Sequence, residues 1–377
     1  MPKGEGFWNP YRMIPIRENI ERSAPVTDEK FSSLSGLIHC TLENITPLFI
    51  SKGTAAVPKP FLTRKIKVKG NKEERWEDQP VIPGSSLKGM LRSLAETIGG
   101  GCSITNGEGV QQNPASTPCS RVDSLCIACQ MFGMMERGKD ARVHKGNVSI
   151  SDGVLQESDF KFDHHEILMG TPATRHRSFY KTPETEKFDG KSRKMYFHQP
   201  KVNEGSFKVL DNLKARAWTV RALSPGYHFD FQVSFSNLRR EELNLLIYTL
   251  VLESDVAVSI GDNGTTRLRG PMRHKLGNAK PLGMGSCHIS MVSLEFFGNP
   301  VERFNSLKND ASEIIKGDPL KKELQTVVQP FLRDNCPTME QLRKMMVWDP
   351  NDDRTFHYPD FYWFKAPGNS ALELKNI

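Results

Sequence analysis

Tyr227 to Phe235 reads YHFDFQVSF, an unbroken alternation of apolar and polar side chains. A period of two places Phe229, Phe231, Val233 and Phe235 on one face of a β-strand and the polar residues on the other. Asn237-Leu238 and the acidic pair Glu241-Glu242 follow at once and open an amphipathic helix that runs through Leu252. Past a glycine turn, Cys287 to Phe297 reads as a further strand. Strand, helix and strand are written here in order.

The first half of the chain repeats that order. Ser35 to Phe49 (SGLIHCTLENITPLF) alternates as a strand. Lys59 to Gln79 is polar and basic, a long loop or a hairpin. After Pro83-Gly84-Ser85-Ser86, the run Leu87 to Ile98 sets Leu87, Leu91, Leu94 and Ala95 on one helical face, with Ser85 or Ser86 placed to cap it. Asn147 to Val154 reads as the next strand, closed by Ser151-Asp152-Gly153. The expectation is an α+β fold with a ferredoxin-like, RNA-recognition-motif-like core. Such a sheet leaves one face open.

Around that core, residues 1–35 read as an N-terminal arm and 36–299 as the core itself. Within it, 99–133 is a loop rich in Gly, Ser, Asn and Thr, and 163–215 is polar, basic and aromatic without a period, hence an insertion. Residues 300–377 form a C-terminal extension with an aromatic end (Tyr358, Phe361, Tyr362, Trp363, Phe364), read as packing on the body in preference to stacking bases.

The 377 residues are 37% hydrophobic and 25% charged, which describes a globular chain with ample core. The longest apolar stretch, around Leu245 to Leu252, is too short to span a bilayer. The first residues lack the pattern of a secretory signal, so a cytoplasmic location without membrane attachment is expected. Net charge is +7, unevenly spread. Lys59, Arg64, Lys65, Lys67, Lys69, Lys72 and Arg75 crowd one segment; Arg267, Arg269, Arg273, Lys275 and Lys280 form a second run free of acids. Two such runs beside glycine turns suit a polyanion, whose binding releases counterions.

Three segments carry chemistry. In the first, Ile82 to Ser93, a proline-glycine turn enters a helix, where unpaired amides and the dipole favour a phosphate. Lys88 and Arg92 stand four apart beside it. An ordinary capped helix with surface cations is the plainer reading. In the second, Lys275 to Ser286, three glycines surround two lysines ahead of a strand, so backbone can approach a ligand closely or simply form a hairpin turn. In the third, Cys126 and Cys129 make a C-x2-C knuckle, and Cys102 and Cys119 can complete a four-thiolate zinc site that replaces the core this loop lacks. A disulfide does not suit a cytoplasmic chain, and Cys40, Cys287 and Cys336 read as buried thiols.

The histidine pair His164-His165 cannot easily share a metal, because neighbouring residues point apart. Together with His176 and His198 it offers the weaker prospect of acid–base chemistry. Arg175 to Lys181 and Arg193 to His198 interleave cations with aromatics, a mixture that suits phosphate contact with base stacking and equally suits a protein surface.

Taken together, the motifs resemble the RAMP superfamily of CRISPR-associated proteins, in its Cas seven group of type III backbone subunits. Ile82 to Ser93 resembles the family's first turn and helix, and Cys126-Ile127-Ala128-Cys129-Gln130-Met131-Phe132-Gly133 its cysteine knuckle. Gly146 to Asp152 resembles the strand that follows, and Gly277 to Gly285 the glycine-rich loop. The order holds across roughly residues 36–297.

The resemblance implies a guide-RNA-binding subunit of an antiviral effector, with CRISPR RNA, target RNA and other CRISPR-associated effector subunits as partners. It assigns the guide surface to Gly84, Ser85, Ser86, Lys88 and Arg92, with Lys275, Lys280, Gly283 and Gly285 opposite, so the two glycine turns should converge. Some members cleave target RNA with an aspartate in the loop after the first strand. Here Ser51 to Arg75 holds no aspartate, and Asp78 is the acid left to test. The rival reading is a stand-alone endoribonuclease processing the CRISPR precursor RNA, with His164, His165 or His176 as acid and base.

Overall fold

A computed structural model of the chain describes residues 8–17, 20–27, 29–31, 33–53, 55–69, 74–102, 118–169, 192–202, 214, 217–261, 266–298 and 312–356. Its centre is a nine-stranded antiparallel sheet. β2 (Leu34–Asn44) lies between β12 (His228–Leu238) and β16 (Ser286–Phe297). On the β12 side follow β7 (Val148–Ile150) and β8 (Gly153–Leu155), then the hairpin of β4 (Glu74–Ile82) and β3 (Thr63–Lys69). On the β16 side lie β15 (His274–Lys275) and β17 (Ser312–Lys316).

One face of this sheet is covered by α1 (Gly84–Ile98) and α3 (Arg240–Val251). Phe229, Phe231, Val233 and Phe235 of β12 are buried there with Ile38, Cys40 and Leu42 of β2, against Leu87, Leu91 and Leu94 from α1 and Leu243, Leu246 and Leu250 from α3. Each such side chain, fully buried, contributes on the order of 1.5–3 kcal/mol. The other face of β12 and β2 carries Asp230, Gln232, His39 and Thr41, with Thr41 Oγ1 donating to Asp230 Oδ1 at 2.8 Å. Because the alternation turns every β12 phenylalanine inward, the outward face of these two strands has no Phe, Tyr or Trp to stack a base.

Smaller ribbons surround the sheet. β1 (Tyr11–Pro15) pairs with β10 (Ser192–Tyr196), and β9 (Phe162–Ile167) with β11 (Trp218–Leu223). β13 (Val256–Ile260) pairs with β14 (Thr266–Gly270), and β5 (Met134–Met135) with β6 (Val143–His144) after the short helix α2 (Ile127–Phe132). Two further helices, Asp318–Leu332 and Pro337–Met346, complete the described chain.

Most of the expected elements are present, and the fold is α+β as expected. Lys59 to Gln79 contains a hairpin rather than a plain loop. The 163–215 segment contains β10 and most of β9, strands too short for a visible period. Ser85 and Ser86 do not cap α1: its N-cap is Pro83, and no side chain at that position bonds the first turn. The cation–aromatic run 175–181 and the aromatic end at 358–364 lie outside the described residues.

Candidate functional site

Helix α1 begins where the chain is pressed against β7. A Cβ on Gly84 would lie 2.2 Å from the Ile150 carbonyl oxygen, so only glycine fits. The Gly84 amide donates to Asp152 Oδ1 at 2.8 Å. At the turn where the sequence reading expects a phosphate, a carboxylate from the β7–β8 corner sits on the positive end of the helix.

The rotation of an α-helix, roughly 100° per residue, then distributes α1 among three neighbours. Leu87, Leu91 and Leu94 enter the core, whereas Ser86, Gly89, Met90 and Ser93 face a cavity. Lys88 and Arg92 are not among the residues lining it. Arg92 instead donates to Glu96 Oε1 at 2.8 Å, to the Gly133 carbonyl at 2.8 Å and to Cys129 Sγ at 3.5 Å. The guanidinium expected beside a phosphate is committed to the chain itself.

The glycine loop forms the opposite wall. Gly277, Gly283 and Gly285 all take positive φ, at 81°, 91° and 78°. A Cβ on Gly285 would meet the Leu276 carbonyl oxygen at 1.8 Å, which fixes the closeness of the two loop ends. Lys275 Nζ donates to the Gly283 and Met284 carbonyls at 3.0 and 3.1 Å, and Lys280 Nζ to the Gly277 carbonyl at 2.7 Å. Both lysines therefore staple the loop that presents them.

Between these walls is a cavity of about 530 Å³. Ser86, Gly89 and Ser93 line it from α1; Lys275, Gly277, Asn278 and Lys280 from the loop; Lys194 and Tyr196 from β10; and Arg273 from the strand approach. Four cations line it, and among the described lining residues there is no carboxylate. Burial brings the Lys275 ammonium down to about 7 and Lys194 to about 8, and it lowers Lys280 and Arg273 as well. Lys194 Nζ also rests 3.8 Å from the Tyr11 ring centre. Low dielectric and stacked cations disfavour positive charge here, so an anion entering the cavity would be drawn in strongly.

The histidines at the cavity are structural. His198 Nε2 donates to the Arg273 carbonyl at 3.0 Å and Nδ1 accepts from Ser286 Oγ at 2.9 Å. Burial, then Lys275 nearby, holds its pKa well below the usual value. His274 Nε2 donates to the Thr249 carbonyl, and burial brings it to about 4. His165 is buried and His164 exposed, on opposite faces of β9 as the strand period requires. His176 lies outside the described residues. Asp78 stands exposed on β4, its Oδ1 3.4 Å from Thr63 Oγ1 and 3.9 Å from Lys65 Nζ, away from the cavity lining.

On the far flank of α1, Cys102, Cys119, Cys126 and Cys129 gather with all four sulfurs within 4.8 Å of one another. A tetrahedral metal with thiolates at about 2.3 Å sets its sulfurs roughly 3.8 Å apart, so the spacing fits a divalent cation. The amides of Cys102, Cys119 and Cys126 donate to the sulfurs of Cys126, Cys102 and Cys119 at 3.4, 3.4 and 3.3 Å. Hydrogen bonding from Cys102 lowers the Cys119 thiol and brings Cys126 to about 7. Bonds from Cys119 push Cys102 up, and those from Cys102 push Cys129 up. The quartet's side chains with Leu125 and Ala128 make a small core of their own.

Sequence reasoning missed Glu96, a carboxylate only 2% exposed that accepts from Arg92 on one oxygen and from Arg193 on the other. Its one sequence signal is the four-residue spacing from Arg92.

A family model described as the RAMP superfamily matches residues 41–267. Among solved structures, the chain is similar to Csc2 of Thermofilum pendens at 12% identity and a TM-score of 0.34, over 79% of this chain and 77% of that one. It is also similar to a chain of a type IV-B CRISPR complex, at 13% identity and a TM-score of 0.34, over 68% of this chain and 90% of that one. No curated protein matches it.

Proposed function

This chain belongs to the RAMP superfamily, and from that premise we propose that it is a guide-RNA-binding backbone subunit of a CRISPR ribonucleoprotein. The observation that carries the reading is the cavity in which Ser86, Gly89 and Ser93 of α1 face Lys275, Gly277 and Lys280 of the glycine loop, with four cations and no lining carboxylate among the described residues. Hydroxyls and cations set around a cleft suit a ribose-phosphate strand: the cations take phosphate oxygens, and serine hydroxyls can bond phosphate or ribose oxygens. Binding occurs between α1 and the loop, since the open face of β2 and β12 has no Phe, Tyr or Trp on which to stack bases.

The type III assignment rests on the order of the four motifs quoted from the sequence, and with it come target RNA and neighbouring effector subunits as partners. A cytoplasmic location follows from that assembly; no described helix is long and apolar enough to cross a membrane. The quartet Cys102, Cys119, Cys126 and Cys129 holds structural zinc, because four thiols at this spacing are the donor set that ion prefers. The processing endoribonuclease has less support, since both nitrogens of His198 are engaged and His164 and His165 face apart.

The test is a titration of the purified chain with labelled single-stranded RNA at several salt concentrations. The logarithm of the affinity should fall linearly with the logarithm of salt, with a slope near −0.7 per phosphate contacted. Arg273→Ala should weaken binding and flatten that slope. Absence of RNA binding, or binding indifferent to salt, overturns the reading. Cleavage of a paired target that stops in Asp78→Asn would make the chain a nuclease as well.

A further inference from the structure

We propose that the cysteine site and the cavity are energetically coupled, through one ionic chain that crosses α1 from Cys129 to Arg92, Glu96 and Arg193. The inference rests on the zinc and RNA reading just given and adds a regulatory link between the two ligands.

The links are contiguous. Arg92 Nη2 donates to Cys129 Sγ at 3.5 Å, and Arg92 Nε to Glu96 Oε1 at 2.8 Å. Arg193 donates to the other Glu96 oxygen. The Glu96 side chain is 3% exposed, Arg193 15% and Arg92 18%, so water screens these pairs little. Arg193 belongs to β10, which among the described residues pairs only with β1, and its neighbours Lys194, Met195 and Tyr196 all line the cavity.

The sign follows from charge. Four thiolates around one divalent cation carry two surplus negative charges, and the Arg92 guanidinium at Cys129 is placed to offset them. Such outer partners orient a metal site and stabilise it. Without the cation the sulfurs lose their common centre and their surplus negative charge, so the contact from Arg92 to Cys129 weakens and with it the hold on its other nitrogens at Gly133 and Glu96. Glu96 is then held more loosely, and so is Arg193 with the β10 wall behind it. Metal loading therefore orders the wall that carries Lys194, and an occupied cavity in turn favours the loaded cysteine site. Coupling of this kind is reciprocal by necessity.

The experiment measures both affinities on the full chain. Zinc affinity is read by competition with a chromogenic chelator, with and without saturating single-stranded RNA; RNA affinity is read by fluorescence anisotropy, with and without zinc. RNA should tighten zinc about fivefold or more, and zinc should tighten RNA by the same factor. In Arg193→Met both ligands should still bind while the factor falls to about one, as expected when a coupling link is cut. Equal zinc affinity with and without RNA in the unaltered chain overturns the coupling, a result that needs no variant to fold. Undiminished coupling in a folded Arg193→Met removes this route. Failure of zinc or RNA to bind at all overturns the underlying reading instead, so the two failures are told apart.

Discussion

The amide of Gly84 donates to the carboxylate of Asp152 at 2.8 Å, so the first helix starts with a cap borrowed from the corner between two short strands. Ser85 and Ser86, the residues a sequence reading selects for this task, lie inside the helix instead. Replacing Asp152 by Ala should lower stability by about 1 kcal/mol, the usual effect of losing an N-terminal cap. Asp152→Asn keeps an oxygen acceptor and should cost less. Urea denaturation midpoints decide it. If Asn costs as much as Ala, charge at the helix end matters more than the hydrogen bond.

Two glycines of the same helix should behave oppositely. A Cβ at Gly84 meets backbone at 2.2 Å, whereas at Gly89 nothing lies within 4 Å. Gly84→Ala should therefore destabilise by about 1–3 kcal/mol, the range for overpacking. Gly89→Ala should stabilise by up to about 1 kcal/mol, because it removes glycine from a helix interior. Gly89 also lines the cavity. Gly89→Leu should then fold normally and bind RNA less well. Undiminished RNA affinity in that variant would move the binding site elsewhere.

The strands and helices that the sequence reveals are those with long, regular patterns. β12 spans eleven residues with its phenylalanines all on one face, and α3 follows it directly. β9, β10 and β11 are shorter, and β10 finds its partner β1 far away in the chain, so no local period announces them. The cysteine quartet is legible because thiols are rare and their spacing is specific. Cation roles are less so. Composition counts Arg92, Lys275 and Lys280 alike, but direction separates them: Arg92 is turned to Glu96 and Cys129, whereas the lysines bond loop carbonyls and still line the cavity. A sequence states charge and leaves its aim to the fold.

The knuckle should fail as a unit. Cys126 is a sulfur acceptor for the Cys102 amide and stands at the N-cap of α2, and Cys129 lies within that helix. Elemental analysis should find one zinc per unaltered chain and none in Cys126→Ser, and that variant should expose the amides of α2 to hydrogen exchange while β12 and α3 stay protected. Protection that persists around Ile127 to Phe132 in a zinc-free variant would show that Leu125, Ala128 and the thiols hold this segment by packing alone.

Acidity of the medium should act on RNA affinity and on stability in opposite directions. Burial brings Lys275 down to about 7 and Lys194 to about 8. An RNA phosphate in the cavity favours their charged forms, so the bound state holds them at higher pKa than the free state. Binding energy from this source is fully present below pH 7 and is lost as pH rises through the bound values, with proton uptake on association in between. The free protein shows the reverse. Unfolded lysines titrate near 10.4, so from about 7 to 10.4 the unfolded chain holds more protons, and stability from these groups rises with pH. Affinity measured across neutral and mildly alkaline pH should therefore fall while the melting temperature does not. Calorimetry in buffers of different ionisation enthalpy should register the protons taken up. An affinity that stays level across this range would mean that the RNA does not reach Lys194 and Lys275.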